Sequence, residues 1–461
     1  MSEPSASPNR RVPTGQVRGL VVIWASLTVV VGVGTFFGLF WALGGFDSSA
    51  EVQKSAPEIV AQDPAAPAEV VVTKVQPTAE PAPTEMPLEP TAMELAPTEV
   101  ATTSPAVTQA AVVPSEQPTP TLAPTQPPAP TATTAPVVSG SAQFSLGGQV
   151  IHGGLLALDK MQVMKMSWVK IQNYDLGGAT LEGDIQNAHN NGLKILVSVK
   201  DNANHTRITA PDYQEQFIQY LERVATLGAD AIEVWNEPNL DREWPADQMG
   251  GANYTELLKK SYPRIKAANP NTIVVSAALS PTGAFSGGCG SISSIYGCDD
   301  KPFLQAMVNA GALNYMDCVG MHYNEGLLPP SATSGDPRGS SAHYTRYFRG
   351  MLDTYGGILG GARSICLTEI GYLSGEEWGY LPSAFSWNPA NPVNMSVAQH
   401  ADYLGQAVTL ARQTGNIRLM IIFNVDFAIL KSMDDDPQAG YSLVRPNQSC
   451  PACSTIAAAM P

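Results

Sequence analysis

Two short segments of this 461-residue chain place a glutamate where an apolar run stops. In Ala231-Ile232-Glu233-Val234-Trp235-Asn236-Glu237-Pro238 the run breaks at a proline and leaves Glu237 at its tip; in Cys366-Leu367-Thr368-Glu369-Ile370-Gly371-Tyr372, Glu369 holds the same place. Two carboxyl groups that differ in protonation are what cleavage of a glycosidic bond requires. One donates a proton to the departing oxygen, and the other attacks the sugar carbon or activates water. Either glutamate alone has a plainer reading: Glu237 could satisfy backbone donors at a helix start, and Glu369 could be a buried structural carboxylate. The pair favours chemistry, because each supplies the partner that the other needs.

The elements that must carry them are legible as eight short, unalternating apolar runs: 145–151, 168–172, 195–199, 231–236, 272–277, 317–323, 365–370 and 419–424. Such runs, separated by amphipathic stretches, read as buried parallel strands. Among the helices between them, Tyr213, Phe217, Leu221 and Val224 share a face after Pro211-Asp212, where Asp212 is placed to cap the first turn. Ser396 and Gln399 form a capping-box pattern, and Gly192, Gly228 and Gly415 stand where helices should end. Eight β-α units in about 320 residues predict a (β/α)8 TIM barrel, with its site at the C-terminal ends of the strands. The glutamates then end strands four and seven. A doubly wound sheet would carry G-x-G-x-x-G after its first strand, which Gly147-Gly148 and Gly153-Gly154 do not match.

Trp-Asn-Glu-Pro at strand four with Thr-Glu-x-Gly at strand seven resembles the clan of retaining glycoside hydrolases built on (β/α)8 barrels, which includes β-xylosidases, cellulases, mannanases and galactanases. The resemblance implies Glu237 as acid/base, Glu369 as nucleophile and Asn236 as the residue holding the 2-hydroxyl of the reacting sugar. It implies a hydrogen-bond donor beside the nucleophile from His322 or Tyr323 in strand six; only one of the two can point inward, because strand side chains alternate. Two positions depart from the pattern. The clan's arginine near the end of strand two is replaced by the run Val169-Lys170-Ile171-Gln172, where Lys170 can match its charge but not its bidentate geometry. The tryptophan of strand eight is replaced by Phe423-Asn424-Val425-Asp426, which leaves Asn424 as a candidate contact to substrate.

The connection from Tyr372 to Met395 carries Trp378, Tyr380, Phe385 and Trp387. Aromatics so dense at the catalytic face are candidate platforms for sugar rings, Trp378 and Trp387 above all; a satellite core is the alternative. Asp434-Asp435-Asp436 reads as a solvated loop, since the ligands of one calcium ion usually alternate along the chain. No metal and no cofactor is expected. The net charge of −15 and the lack of a basic cluster beyond the N-terminus argue against nucleic acid and leave a carbohydrate partner unopposed. All six cysteines lie after residue 141. Cys289 with Cys298 and Cys450 with Cys453 are the expected bridges, whereas Cys318 and Cys366 are expected as buried free thiols.

The N-terminal third has another character. Residues 19–46 contain no charge and are long enough to cross a membrane, longer than the apolar core of a cleaved signal. Arg10, Arg11 and Arg18 precede the span, which places residues 1–18 in the cytoplasm and the rest outside. Residues 47–140 are rich in Pro, Thr and Ala with no aromatic residue, the composition of a disordered, semi-rigid stalk. The sequence thus predicts a single-pass, membrane-anchored glycosidase whose catalytic domain, 141–461, is held off the surface. A non-hydrolytic carbohydrate-binding or adhesion protein, and a transglycosylase, are the alternatives on the same barrel.

Overall fold

The computed structural model describes residues 143–339 and 342–461. The expected tail (1–18), membrane span (19–46) and stalk (47–140) lie outside them; among the described residues no helix is long and apolar enough to cross a membrane.

Eight parallel strands close a barrel: β1 (Ser145–Gln149), β2 (Trp168–Asn173), β3 (Lys194–Val199), β4 (Ala231–Val234), β5 (Ile273–Ser276), β8 (Cys318–Gly326), β9 (Ser364–Tyr372) and β10 (Ile417–Ile422). Each neighbours the next in chain order, and β1 pairs with β10. A separate antiparallel hairpin, β6 (Cys289–Ile292) and β7 (Ile295–Cys298), sits in the connection after β5 and is not evident from the sequence pattern. Helices return the chain outside the barrel, among them α3 (Pro211–Thr226), α4 (Gly251–Ala268), α5 (Asp300–Asn309) and α7 (Val397–Thr414). The capping box of α7 forms as expected from Ser396 and Gln399. At α3, however, Ala210 is the N-cap, and Asp212 pairs instead with Arg207 at 2.9 Å. Gly192, Gly228 and Gly415 all take left-handed φ, the conformation that ends a helix.

The barrel interior is apolar at its lower end, where Trp168, Leu196, Ala231, Val275, Cys318, Cys366, Leu419 and Ile421 pack together. Within this layer Cys318 and Cys366 are joined as a disulfide, Cα to Cα 5.8 Å, so the expectation of two free thiols is corrected. Adjacent strands bring them within bonding reach, since Cys366 lies beside Gly320, two residues along β8 from Cys318. The expected bridges Cys289–Cys298 and Cys450–Cys453 are both present. Gly320 also explains the close approach of β8 to β5: a Cβ there would lie 2.2 Å from the Ser276 carbonyl oxygen.

Towards the C-terminal ends of the strands the interior turns polar, with Lys170, Ser198, Glu233 and His322 fully or almost fully buried. On β9 the register slips by one residue against both neighbours: Met321 and His322 face Leu367 and Glu369, and Met420 and Ile422 face Leu367 and Ile370. This bulge breaks strict alternation, so the consecutive residues Thr368 and Glu369 both reach interior groups.

Candidate active site

β4 ends at Val234, and the chain then turns sharply. Trp235 and Glu237 both take positive φ, 75° and 39°, values that a non-glycine residue holds only when its surroundings enforce them. Here they do. The Trp235 indole is fully buried, packs edge-on to Phe217 and Trp244, and donates to the Glu243 carbonyl at 2.7 Å. The backbone N–H of Glu237 donates to Ala278 at 3.0 Å. Tyr254, from α4, donates to the Val234 carbonyl at 2.7 Å and accepts from the Ala277 N–H, tying the tips of β4 and β5 together. The turn therefore presents Glu237 from a rigid base.

Glu237 and Glu369 converge on one imidazole. His322 Nδ1 lies 3.1 Å from Glu237 Oε1 and 3.9 Å from Glu369 Oε2, which bounds these two oxygens to about 7 Å apart. Glu369 Oε1 accepts from Lys170 Nζ at 2.9 Å, and its Oε2 accepts from Asn324 Nδ2 at 3.1 Å. Lys170 also donates to the Thr368 carbonyl at 3.1 Å and stands 3.4 Å from Glu233 Oε2. Glu233 Oε1 in turn accepts from Thr368 Oγ1 at 2.6 Å and from the Ala278 N–H at 3.2 Å. The interior thus carries a ladder of alternating charge, with Glu233 lowest, Lys170 and His322 between, and Glu237 and Glu369 facing the opening.

For Glu237, Glu369, His322 and Lys170 burial alone would favour the neutral form, but the partners reverse it. Glu369 is held below the usual carboxylate range, because His322 and Lys170 outweigh its desolvation. Glu237 is held well below that range, because the bond from His322 and the guanidinium of Arg242 outweigh its burial. His322 and Lys170 are raised: burial works against their charges, and the carboxylates around them more than offset it. The arrangement thus favours the ionised form of both glutamates and the protonated form of both bases.

The remaining expected residues divide. Asn236 is buried, donates to Glu243 Oε1 at 3.3 Å, and leaves its Oδ1 without a partner, available to a ligand hydroxyl. His322 is the inward member of its pair. Tyr323 points the other way, packed against Phe348 and Tyr372 with its hydroxyl on the Arg346 carbonyl, so it is not a donor to Glu369. Asn424 is fully buried, and its amide is occupied: Nδ2 donates to the Gln438 carbonyl, and Oδ1 accepts from the Phe427 N–H and Ser442 Oγ. That geometry organises the loop after β10 and leaves little of Asn424 for a substrate. Trp378 and Trp387 are half-buried against the cluster of Leu373, Leu381, Phe423, Phe427, Met433 and Tyr441, with Arg445 over the first ring and Arg338 over the second. The three aspartates are individually engaged, Asp434 with Tyr380, Asp435 with Ser432 and Asp436 with the Gln438 N–H. Among the described residues no group of three or more His, Cys, Asp or Glu side chains could hold a metal ion.

Several residues at the site were not singled out from the sequence. Arg242 Nη2 lies 2.5 Å from Glu237 Oε2. Lys200 pairs with Glu243 at 2.5 Å, and its ammonium lies 5.6 Å from the ring centre of Tyr174, an exposed aromatic just past β2. Tyr441 donates to the Asn324 carbonyl at 2.7 Å, holding the residue that bonds Glu369. Asn324 had a usable signal, being two residues from His322 on the same strand face.

No family model and no curated protein matches the sequence. Among solved structures the chain is similar to an endo-1,4-beta-mannanase from Rhizomucor miehei, at 13% identity over 68% of this chain and 94% of that one, with a TM-score of 0.44. It is similar to a glycoside hydrolase family 5 mannosidase from the same organism, at 11% identity over 68% and 91%, with a TM-score of 0.45. It is also similar to a GH10 endoxylanase retrieved from a sugarcane soil metagenome, at 13% identity over 68% and 96%, with a TM-score of 0.43. At these identities and scores nothing about substrate or chemistry is carried across to this chain.

Proposed function

We propose that this chain is a retaining glycoside hydrolase of the (β/α)8 clan, acting on β-linked glycans or glycosides by double displacement, with its barrel outside the membrane and anchored through residues 19–46. The observation that carries the reading is the convergence of Glu237 and Glu369 on one side of His322, with Lys170 bonded to Glu369. The 7 Å bound accommodates the ~5–5.5 Å carboxyl spacing of a retaining enzyme. Glu369 attacks the anomeric carbon while Glu237, carrying a proton, delivers it to the leaving oxygen; a covalent glycosyl ester forms and the glycosidic bond breaks. Glu237, now ionised, then takes a proton from water, and the resulting hydroxide displaces Glu369 and releases the sugar. Asn236 Oδ1 and Asn324 Oδ1, both buried and without partners, are placed to accept from sugar hydroxyls.

The test is a screen of parent and Glu369→Ala chains on aryl β-xylosides, β-glucosides, β-galactosides and β-mannosides and on matching polysaccharides, with the first-formed anomer read by NMR. Release by the parent alone, with the β-anomer formed first, supports the reading; first formation of the α-anomer rules out double displacement. A second reading, a carbohydrate-binding protein without turnover, is favoured by the bonds from His322 and Arg242, which favour the ionised form of Glu237 over the acid form. Glycan binding with no release from either chain would select it.

A further inference from the structure

The geometry points to Arg242 as a displaceable counter-ion of the acid/base, and so to an acidic sugar, one bearing a carboxylate or sulfate, on the leaving-group side of the cleft. This inference rests on the glycosidase reading. Arg242 makes its one hydrogen bond among the described residues to Glu237 Oε2, yet its side chain is 63% exposed, against 11% for Glu237. The backbone on either side is fixed: Asp241 exchanges bonds with Tyr296 of the hairpin (N–H to carbonyl at 3.0 Å, carboxylate from N–H at 2.8 Å), and Glu243 is held by Lys200. The side chain of Arg242 can therefore swing while the turn stays in place.

Charge balance supplies the argument. Glu237 is faced by His322 from β8, by Arg242 and Glu243 from its own turn, by Glu369 from β9 and by Glu325 from the end of β8. An acid step needs the Glu237 carboxyl to be neutral, and while Arg242 stays bonded to its Oε2 the ionised form is favoured. A proton donor to the leaving oxygen necessarily borders the leaving group, so the aglycone is the part of the substrate within reach of Arg242. A carboxylate or sulfate there accepts the guanidinium fork in two parallel bonds, restores the balance and releases Glu237 to take up its proton. A neutral aglycone offers the guanidinium no competing anion, so its pull toward the ionised form of Glu237 persists. The overall negative charge of the chain does not oppose this locally, because charges beyond about 8 Å are largely screened at physiological ionic strength.

The test compares kcat/KM of the full chain and its Arg242→Gln form on aryl glycosides with one sugar and leaving groups of matched acidity. The aglycones carry a carboxylate, a sulfate ester or a neutral carboxamide. The parent is expected to favour one or both anionic aglycones at least tenfold, and Arg242→Gln to abolish the preference while moving the alkaline limb for the neutral substrate to higher pH. Equal rates in the parent, or a preference that survives Arg242→Gln, overturns the proposal. The corresponding glycosyl fluorides need no acid catalyst. Turnover of a fluoride, together with no anionic preference among the aryl glycosides, therefore defeats the Arg242 inference alone, whereas no turnover of any fluoride removes the glycosidase reading and this inference with it.

Discussion

Lys170 and Glu233 face each other inside the barrel at 3.4 Å, with neither side chain exposed. The strand-two cation thus reaches Glu369 through a single ammonium bond, where an arginine would offer a fork, and Glu233 below neutralises the surplus. The pair is a unit: Lys170 serves Glu369, and Glu233, held by Thr368 and the Ala278 N–H, makes a buried lysine tolerable. Removing Lys170 alone strands buried carboxylates, which costs about 3–5 kcal/mol. Lys170→Met is therefore expected to fold poorly, and Lys170→Met with Glu233→Gln to recover most of the stability. In the double variant Glu369 keeps His322 but still lacks the ammonium bonded to its Oε1, so kcat/KM should fall by roughly two to three orders of magnitude, the scale of losing one preorganised charge partner. Its acid limb should move to higher pH, since Lys170 is one of the groups holding Glu369 below the usual range. A double variant with parental kcat/KM and an unmoved acid limb would show that Lys170 is structural only.

The Cys318–Cys366 bridge closes a loop of 48 residues through the floor of the barrel. Chain entropy assigns such a closure roughly 4 kcal/mol of stabilisation. The unreduced, denatured chain should show no reactive thiol. Replacing both residues by Ala should lower the melting temperature by several degrees while leaving kcat at 25 °C close to the parent value, because the bridge lies in the apolar layer beneath the charged one. Two thiols titrating in the unreduced protein would refute the pairing.

The sequence made the barrel legible because buried parallel strands are apolar runs whose signal is local, and all eight lie within a few residues of the expected bounds. Glu237 and Glu369 were legible because abrupt strand ends expose their last side chains. What escaped is what depends on register. Thr368 and Glu369 both face inward only because of a bulge, and Cys318 meets Cys366 only through the β8–β9 pairing. In the sequence Glu233 is one polar residue inside an apolar strand, and only the closed barrel turns it into the partner of a lysine two strands away. Arg242 sits five residues beyond Glu237, but a turn with two positive φ values has no simple periodicity from which to read that it folds back.

Asp300, at the start of α5, is fully buried and accepts from the hydroxyls of Tyr344 and Tyr355. Burial outweighs those bonds and pushes its pKa from 3.8 up to about 6. The sign follows from linkage. Between these values the unfolded chain has lost the proton while the folded one keeps it, so Asp300 costs stability progressively as pH rises from about 4 to about 6. Asp300→Asn keeps an acceptor and cannot ionise. Its stability relative to the parent should therefore improve across that interval by up to about 3 kcal/mol, from the pKa difference. Denaturant midpoints at pH 4 and pH 7 check this; a constant difference between the two chains would show that Asp300 does not titrate there.

Tyr174 and the loop tryptophans make opposed predictions. Tyr174 is about half exposed, with Lys200 over its ring; Lys200 pairs with Glu243, itself bonded to Asn236, so the ring lies on the side of the cleft where the reacting sugar must sit. Trp378 and Trp387 are half-buried in a satellite core and stacked under arginines that other residues already hold; Arg445 forks onto Glu377, and Arg338 onto Asp336. Stacking of a ring on a sugar face contributes on the order of 1 kcal/mol beyond area burial, by analogy with aromatic pairs. Tyr174→Ala should therefore raise KM about fivefold with little change in melting temperature. Trp378→Ala should instead lower the melting temperature, because it opens the contact between the 372–395 connection and the barrel. If Trp378→Ala raised KM at unchanged stability while Tyr174→Ala did neither, the sugar platform would belong to that connection, as the density of aromatics in the sequence suggests.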